Sequence, residues 1–362
     1  MKENRVYLAF TVFCLVCIGV VMIYSSSCVY AMQELHDSAF FLKRHLIFLS
    51  IGFIFTLAVM SVDYRILQKY AKPLLALSII LLILVLIPGI GKRSSGAQRW
   101  FRVGMINFQP SELVKIAMII YVADFLARKQ KVVTSFKEGF VPLMLIMGFV
   151  CALVVKQPDL GTTVEIAIIV LGMMFVAGAR MAHLGLIALA AVPVIIYLVT
   201  SASYRMARIM AFLDPWQDPQ GIGFQLTQSQ IAIGSGGLFG VGLGKSLQKL
   251  YFLPAAHTDF IYSIIGEEFG LCGTLFIIVL FSIFLWQGTR IAIRTTDSFG
   301  YYLCVGILIM FGLQAVVNIG VSMGALPTKG LPLPFISYGG SALIFHMAAV
   351  GLLLNVSRVQ DL

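Results

Sequence analysis

The sequence predicts an all-α, polytopic membrane protein with about ten transmembrane helices. Three observations predict it. Of 362 residues, 59% are apolar or tyrosine and only 12% are charged, where soluble domains are about 45–50% apolar and about 25% charged. The mean hydropathy is +0.95, and a soluble protein this apolar could not cover its surface with polar groups. The apolar residues also fall into runs of membrane-crossing length. These facts exclude a cytosolic enzyme, a disordered chain and a small disulfide scaffold.

The runs lie at roughly 6–28, 45–61, 73–88, 111–127, 140–155, 161–178, 184–200, 260–286, 299–323 and 341–356. Lys2 and Arg5 before the first run and Ser25, Ser26 and Ser27 after it mimic a signal peptide. The run's length and the lack of an A-x-A-like site predict a retained first helix. An even number of spans places both termini on one side, so residues 1–362 read as a single integral membrane domain. With the termini cytoplasmic, the 26 basic residues divide 13 inside and 13 outside, so the raw positive-inside count is indecisive. Six acids accompany the inner set and ten the outer, which favours N-in and C-in. The net charge of +10 sits in short loops and points to anionic or phosphorylated lipid rather than nucleic acid.

The outer loops carry the unusual sequence. Residues 89–110 hold Lys92, Arg93 and Arg102 around Arg99-Trp100; a turn at 156–161 reads Lys156-Gln157-Pro158-Asp159. Residues 201–259 form a loop with eight glycines between 221 and 244, long enough to expect a function or structure of its own. Residues 324–341 are rich in proline and glycine. The stretch Gly234–Ser246 ends like a P-loop, but Phe239 stands where the first glycine is needed and no strand precedes it. The glycines predict a tight re-entrant backbone at the membrane surface. The six cysteines lie in or beside apolar runs and read as small core residues. The scattered histidines and the absence of metal-binding spacings argue against a protein-built zinc site.

Each candidate residue has a functional and a plainer reading. Glu112 and Lys115 share one helix face near a helix start, as a cavity wall or a self-neutralising cap. Lys156 and Asp159 are a headgroup contact or a snorkelling pair at the membrane edge. Glu165, within a span, needs a partner from another helix. Arg99-Trp100 is an interface anchor or a phosphate and sugar platform. His257-Thr258-Asp259 offers a general base at a cavity mouth or an N-cap. Lys329 and Ser337 lie in a segment that either presents free amides to an anion or plugs the outer face. Asn355-Val356-Ser357 matches a glycosylation acceptor on the cytoplasmic side, where it has no role.

Together these segments resemble the SEDS family of cell-shape, elongation, division and sporulation proteins (FtsW, RodA and SpoVE). The resemblance covers nearly the whole chain. It rests on Gly96-Ala97-Gln98-Arg99-Trp100-Phe101, Phe108-Gln109-Pro110-Ser111-Glu112-Leu113-Val114-Lys115, Gln157-Pro158-Asp159-Leu160-Gly161-Thr162, Leu213-Asp214-Pro215-Trp216, Gln225-Leu226-Thr227-Gln228-Ser229, Leu253-Pro254-Ala255-Ala256-His257-Thr258-Asp259-Phe260, Gly266-Glu267-Glu268-Phe269-Gly270 and Pro332-Leu333-Pro334-Phe335-Ile336-Ser337-Tyr338-Gly339-Gly340. Leu326-Pro327-Thr328-Lys329-Gly330 is similar to FtsW and SpoVE members more than to RodA members. Ala255-Ala256 departs from the family, which usually places an acid there.

The resemblance implies a ten-span peptidoglycan glycosyltransferase that polymerises lipid II outside the cytoplasmic membrane, with undecaprenyl pyrophosphate leaving. It implies Asp259 as the catalytic base, overturning the cap reading. Glu112, Lys115, Arg99, Trp100, Lys156, Asp159, His257, Lys329 and Ser337 are then substrate-binding candidates. Implied partners are a class B penicillin-binding protein and other division proteins. A divalent cation, Mg or Mn, could accompany the pyrophosphate. The rival functions are a lipid II flippase, a RodA-like elongation polymerase and a non-catalytic division scaffold.

Overall fold

The computed structural model describes residues 2–94, 97–103, 106–250 and 252–359. Helices stand wherever an apolar run predicted one: α1 (Lys2–Leu35), α2 (Phe40–Ser61), α3 (Arg65–Leu86), α4 (Pro110–Arg128), α5 (Val141–Lys156), α6 (Leu160–Val176) and α7 (Met181–Thr200). After two shorter helices, α8 (Ser203–Leu213) and α9 (Phe224–Ser235), come α10 (Ile261–Arg294), α11 (Ser298–Ser322) and α12 (Gly340–Val359). Eight helices are long and apolar enough to cross a membrane. The other two of the expected ten differ for clear reasons: α6 has 17 residues, and α4 carries Glu112, Lys115, Asp124 and Arg128.

One addition to the all-α expectation lies between α3 and α4. Strands β1 (Lys92–Ser94), β2 (Ala97–Val103) and β3 (Ile106–Phe108) form an antiparallel sheet in the order β1-β2-β3. Aromatic residues in β2 and β3 suit a pleated, half-buried surface, and Phe101 stacks on Phe108 with centroids 6.4 Å apart. Gly96, in the first family motif, and the side chain of Arg93 lie outside the described residues.

The core is built on α4, α11 and α12. Along α4 nearly every residue from Val114 to Ala123 is buried, so this charged helix sits inside the bundle rather than against lipid. Packed pairs include α12 on α2, α3 on α4, α1 on α10 and α11 on both α4 and α10. Helix α7 is the opposite case: it buries no residue, and its contacts run to α6, to α8 and, through His183, to Phe136 and Phe140.

The two ends of the bundle differ. At one end the sheet meets the α5–α6 turn through Arg99, the start of α6 meets the 324–339 segment through Lys329, and that segment meets His257 through Tyr338. At the other, Asn355 donates from Nδ2 to Val59 O at 2.6 Å and also to Val62 O, and accepts from Tyr64 N. Asn355 is 1% exposed, which disposes of the glycosylation motif.

The glycine-rich segment is built into α10. That helix breaks at Gly270, where φ is 66° and ψ −158°. Val241 N and Gly242 N donate to Glu267 O and Glu268 O, while Leu271 N and Cys272 N donate to Gly237 O and Leu238 O, at 2.9–3.1 Å. The segment thus satisfies polar groups that the break frees. A Cβ at Gly270 would lie 2.5 Å from Gly240 N, so close approach, as well as positive φ, requires glycine here.

Candidate active site

Two groups of ionisable residues lie at the loop-rich end. The first is within the bundle. Pro110 opens α4 in the first helical position after extended Gln109, a placement that needs no N–H. This start puts Glu112 and Lys115 on one inward face. Lys115 Nζ lies 3.0 Å from Glu112 Oε2 and 3.3 Å from Glu165 Oε1 on α6. Gln314 on α11 donates to Glu165 at 2.6 Å. All four are almost completely buried. The partner that Glu165 required is therefore Lys115, and the self-contained Glu112–Lys115 pair becomes a triad across two helices. Buried ions are tolerated only when paired and hydrogen-bonded; Lys115 and Glu165 meet both conditions, and Glu112 is held by its ion pair with Lys115.

Around it sit the turn and loop candidates. Asp159 is the N-cap of α6, accepting from Thr162 N at 3.1 Å, and lies 3.8 Å from Arg99 Nη1. Arg99 also donates to Gln157 O at 2.7 Å and to Pro158 O, so it clamps the sheet onto the α5–α6 turn. Lys156 is exposed and stands apart from this pair, so the expected Lys156–Asp159 pair is replaced by Arg99–Asp159. Trp100 is half-buried opposite Lys92 in the sheet. Lys329 reaches down to donate to Gly161 O, and a side chain at Gly161 would fall on its methylenes. Burial pulls the Lys329 ammonium down to about 8, against the nearby Glu165 and Asp159 charges that favour it.

The second group surrounds Asp259. The N-cap of α10 is Phe260, which makes no side-chain cap bond, so Asp259 does not cap this helix. Its carboxylate is half-buried, and among the described residues no N–H or O–H donates to it. Burial pushes it up to about 6, opposed by the field of Arg208 on α8. A Cβ at Gly330 would lie 2.7 Å from Oδ2, so the absence of a side chain there leaves room beside the acid. His257 packs tilted against Phe41 at 4.5 Å and Tyr338 at 5.9 Å. Burial pulls its imidazole down to about 4, which keeps it neutral at pH 7.

The segment after Lys329 is a plug. Leu331, Leu333, Phe335 and Ile336 are buried, with Phe335 stacked on Phe311 at 5.2 Å. Several of its amides bond within the protein: Leu333 N donates to Ser337 Oγ at 2.8 Å, Ser337 N to Leu333 O and Tyr338 N to His257 O. Ser337 is 4% exposed and its hydroxyl closes this turn as an acceptor.

The sequence reading singled out no functional role for the acids within α10. Glu268 accepts from Lys249 Nζ at 2.9 Å and from Ser25 Oγ of α1 at 2.7 Å. Glu267 accepts from Ser246 Oγ and from Leu247 N at 2.8 Å. Two adjacent acids within an apolar run are the signal that points to them.

This geometry can be set beside known proteins. The family described as cell cycle protein, FtsW/RodA/SpoVE, matches residues 5–362. The chain belongs to that family. A probable peptidoglycan glycosyltransferase FtsW of Trichlorobacter lovleyi is 47% identical over 357 residues, covering 99% of this chain and 94% of that protein. Stage V sporulation protein E of Bacillus subtilis is also 47% identical, over 95% of this chain and 94% of its own. The crystal structure of the Thermus thermophilus rod shape determining protein RodA shares the FtsW/RodA/SpoVE fold with a TM-score of 0.73 and 29% identity, covering 98% of this chain and 97% of RodA. A chain from a peptidoglycan synthase complex that coordinates polymerisation and crosslinking gives 0.79, also at 29% identity and the same coverage.

Proposed function

We propose that this chain is a peptidoglycan glycosyltransferase that polymerises lipid II, with Asp259 as general base. The observation that carries the reading is the state of that carboxylate: half-buried, without a hydrogen-bond donor among the described residues, and raised to about 6. A general base works best with its pKa near the operating pH. In the reaction Asp259 takes the proton of the acceptor sugar hydroxyl. The oxygen forms a bond to the anomeric carbon of the other chain, and the bond from that carbon to the pyrophosphate oxygen breaks. The departing undecaprenyl pyrophosphate takes the negative charge. Cations at this end, among them Arg208 whose field reaches the acid, offset that charge. A divalent ion, Mg or Mn, that came with the pyrophosphate would need only its phosphate oxygens and one or two carboxylates; among the described residues no three His, Cys, Asp or Glu gather.

The reading places the loop-rich end outside the bacterial cytoplasmic membrane, at the division site. There a class B penicillin-binding protein and other division proteins would meet it. The test feeds labelled lipid II to the purified protein with such a partner and resolves the products by length. Polymer from the wild type and none from Asp259→Asn supports the reading; equal polymer from both would falsify it. Orientation is checked separately, by placing one cysteine at exposed Ser203 or Thr134 in a background lacking the six native cysteines. Labelling by an impermeant reagent in intact spheroplasts at Ser203→Cys but not Thr134→Cys is expected. The reverse pattern removes an outer polymerase.

A further inference from the structure

Asn318 lies one turn before the end of α11 and is 1% exposed. Its Nδ2 donates to Asp259 O at 2.9 Å and to Leu331 O at 2.8 Å. One amide NH2 has two hydrogens, so each carbonyl receives one. The two carbonyls belong to different loops: the 252–260 segment that carries the acid, and the 324–339 plug. Without a donor between them, two carbonyl dipoles would converge in a buried place, which is unfavourable.

The same two loops meet again on the side-chain face of Asp259. Gly330, one residue before Leu331, leaves the space against which the carboxylate lies; a Cβ there would be 2.7 Å from Oδ2 and 3.2 Å from Cγ. The backbone of residue 259 is thus tied to residue 331 while its side chain rests over residue 330.

We infer that Asn318 is a positioning residue for the general base, holding the Asp259 loop against the plug so that the carboxylate stays over Gly330. This rests on the proposed role of Asp259. Asn318 touches no substrate in this scheme and acts only through Asp259. Loss of its donor lets the two loops part, lets water reach the carboxylate and moves the acid off its line to the acceptor hydroxyl. A misplacement of about 1 Å can cost on the order of 100-fold in rate.

The experiment measures lipid II polymerisation against pH for Asn318→Leu, Asn318→Asp and Gly330→Ala, beside the wild type and Asp259→Asn, in detergent with the penicillin-binding partner. Asn318→Leu keeps the size and removes the donor; Asn318→Asp puts a third oxygen between the carbonyls. Expected for both is a kcat lower by about 10- to 100-fold and a KM within about threefold. For Asn318→Leu the acid limb moves down toward the ordinary carboxylate range as water reaches Asp259, and for Asn318→Asp the like charge of the added carboxylate moves it up. Gly330 is exposed, so Gly330→Ala leaves folding intact and keeps the inference testable if the Asn318 variants do not accumulate. Its methyl displaces the carboxylate and moves kcat and the acid limb as Asn318→Leu does. Folded variants whose acid limb stays at the wild-type position would overturn the inference, whatever their rate, because a merely structural side chain changes the amount of active protein and not the titration of Asp259. Asp259→Asn at the wild-type rate would instead overturn the role of Asp259 itself.

Discussion

Glu165 and Asp259 are both acids carried into an apolar helix bundle, and the structure treats them in opposite ways. Glu165 is 1% exposed, and its oxygens are taken up by Lys115 at 3.3 Å and Gln314 at 2.6 Å. Asp259 is half-buried, faces a gap over Gly330 and, among the described residues, receives no hydrogen bond on its carboxylate. A saturated acid holds helices together, because removing any partner leaves an uncompensated charge. An unsaturated acid of raised pKa has capacity left to take a proton. The difference separates the acid that maintains the bundle from the acid that does chemistry.

The largest effect that can break this comparison is on rate. Asp259→Asn keeps the size and removes the basicity, so polymerisation falls by about 10²–10⁴-fold while the protein still inserts and folds. A wild-type rate would make Asp259 as passive as Glu165.

The next effect is on stability. Lys115→Met leaves Glu112 and Glu165 facing each other without their cation, at a cost of about 3–5 kcal/mol. Replacing all three by Gln, Met and Gln removes the charges together and costs much less. The check is thermal unfolding in detergent of the single and triple variants. Equal, small losses would show a wetted cluster.

A smaller effect separates the two acids by pH. Because folding raises Asp259 from an ordinary carboxylate value to about 6, its neutral form is favoured in the native state. The stability it contributes is complete below about 3.8 and is lost as pH rises through about 6. Activity follows the other sign, rising over the same window as the base ionises. Asp259→Asn should therefore raise the thermal midpoint at pH 8 by roughly 2–4 °C and leave it unchanged at pH 4. Stability loss in the variant at pH 8 would mean that the ionised acid has a partner.

The smallest effect is a control. Lys156 is exposed and apart from Asp159, so Lys156→Ala should alter stability by less than about 0.5 kcal/mol and polymerisation by less than twofold. A tenfold loss would return it to the headgroup site.

The helices were legible because a membrane span must be long and apolar, and that property is local. Even α4 showed itself, since Pro110 and Ser111 mark its start before the charges begin. The sheet was not legible: two of its strands have three residues each, too few for an alternation to register. Among site residues, the inward spacing of Glu112 and Lys115 was visible, but Glu165 lies 50 residues from Lys115 and only packing of α4 on α6 joins them. Ser337 and Lys156 show the same limit in reverse, since sequence gives residue type and not direction: the first is 4% exposed and closes a turn, the second is exposed. The cap reading of Asp259 failed by one position, because α10 begins after Phe260.

The break in α10 has a mechanical consequence. Beyond Gly270, residues 271–294 make a helix of about 24 residues, or about 36 Å at 1.5 Å each, which already spans a bilayer core of about 30 Å. The stretch from Ile261 to Phe269 is therefore not needed as a membrane anchor. The glycine segment docked at the break and the Glu267 and Glu268 clamps hold it from the side. The same segment bonds residues on both sides of the break, Glu267 and Glu268 before it and Leu271 and Cys272 after it. It therefore splints the joint, and a tilt of the anchoring rod is carried into the part that begins beside Asp259. Polymerisation in vesicles of steadily longer acyl chains should accordingly pass through an optimum at one thickness, although mismatch itself costs only fractions of a kcal/mol per Å. A flat response across several ångströms would mean that the joint bends.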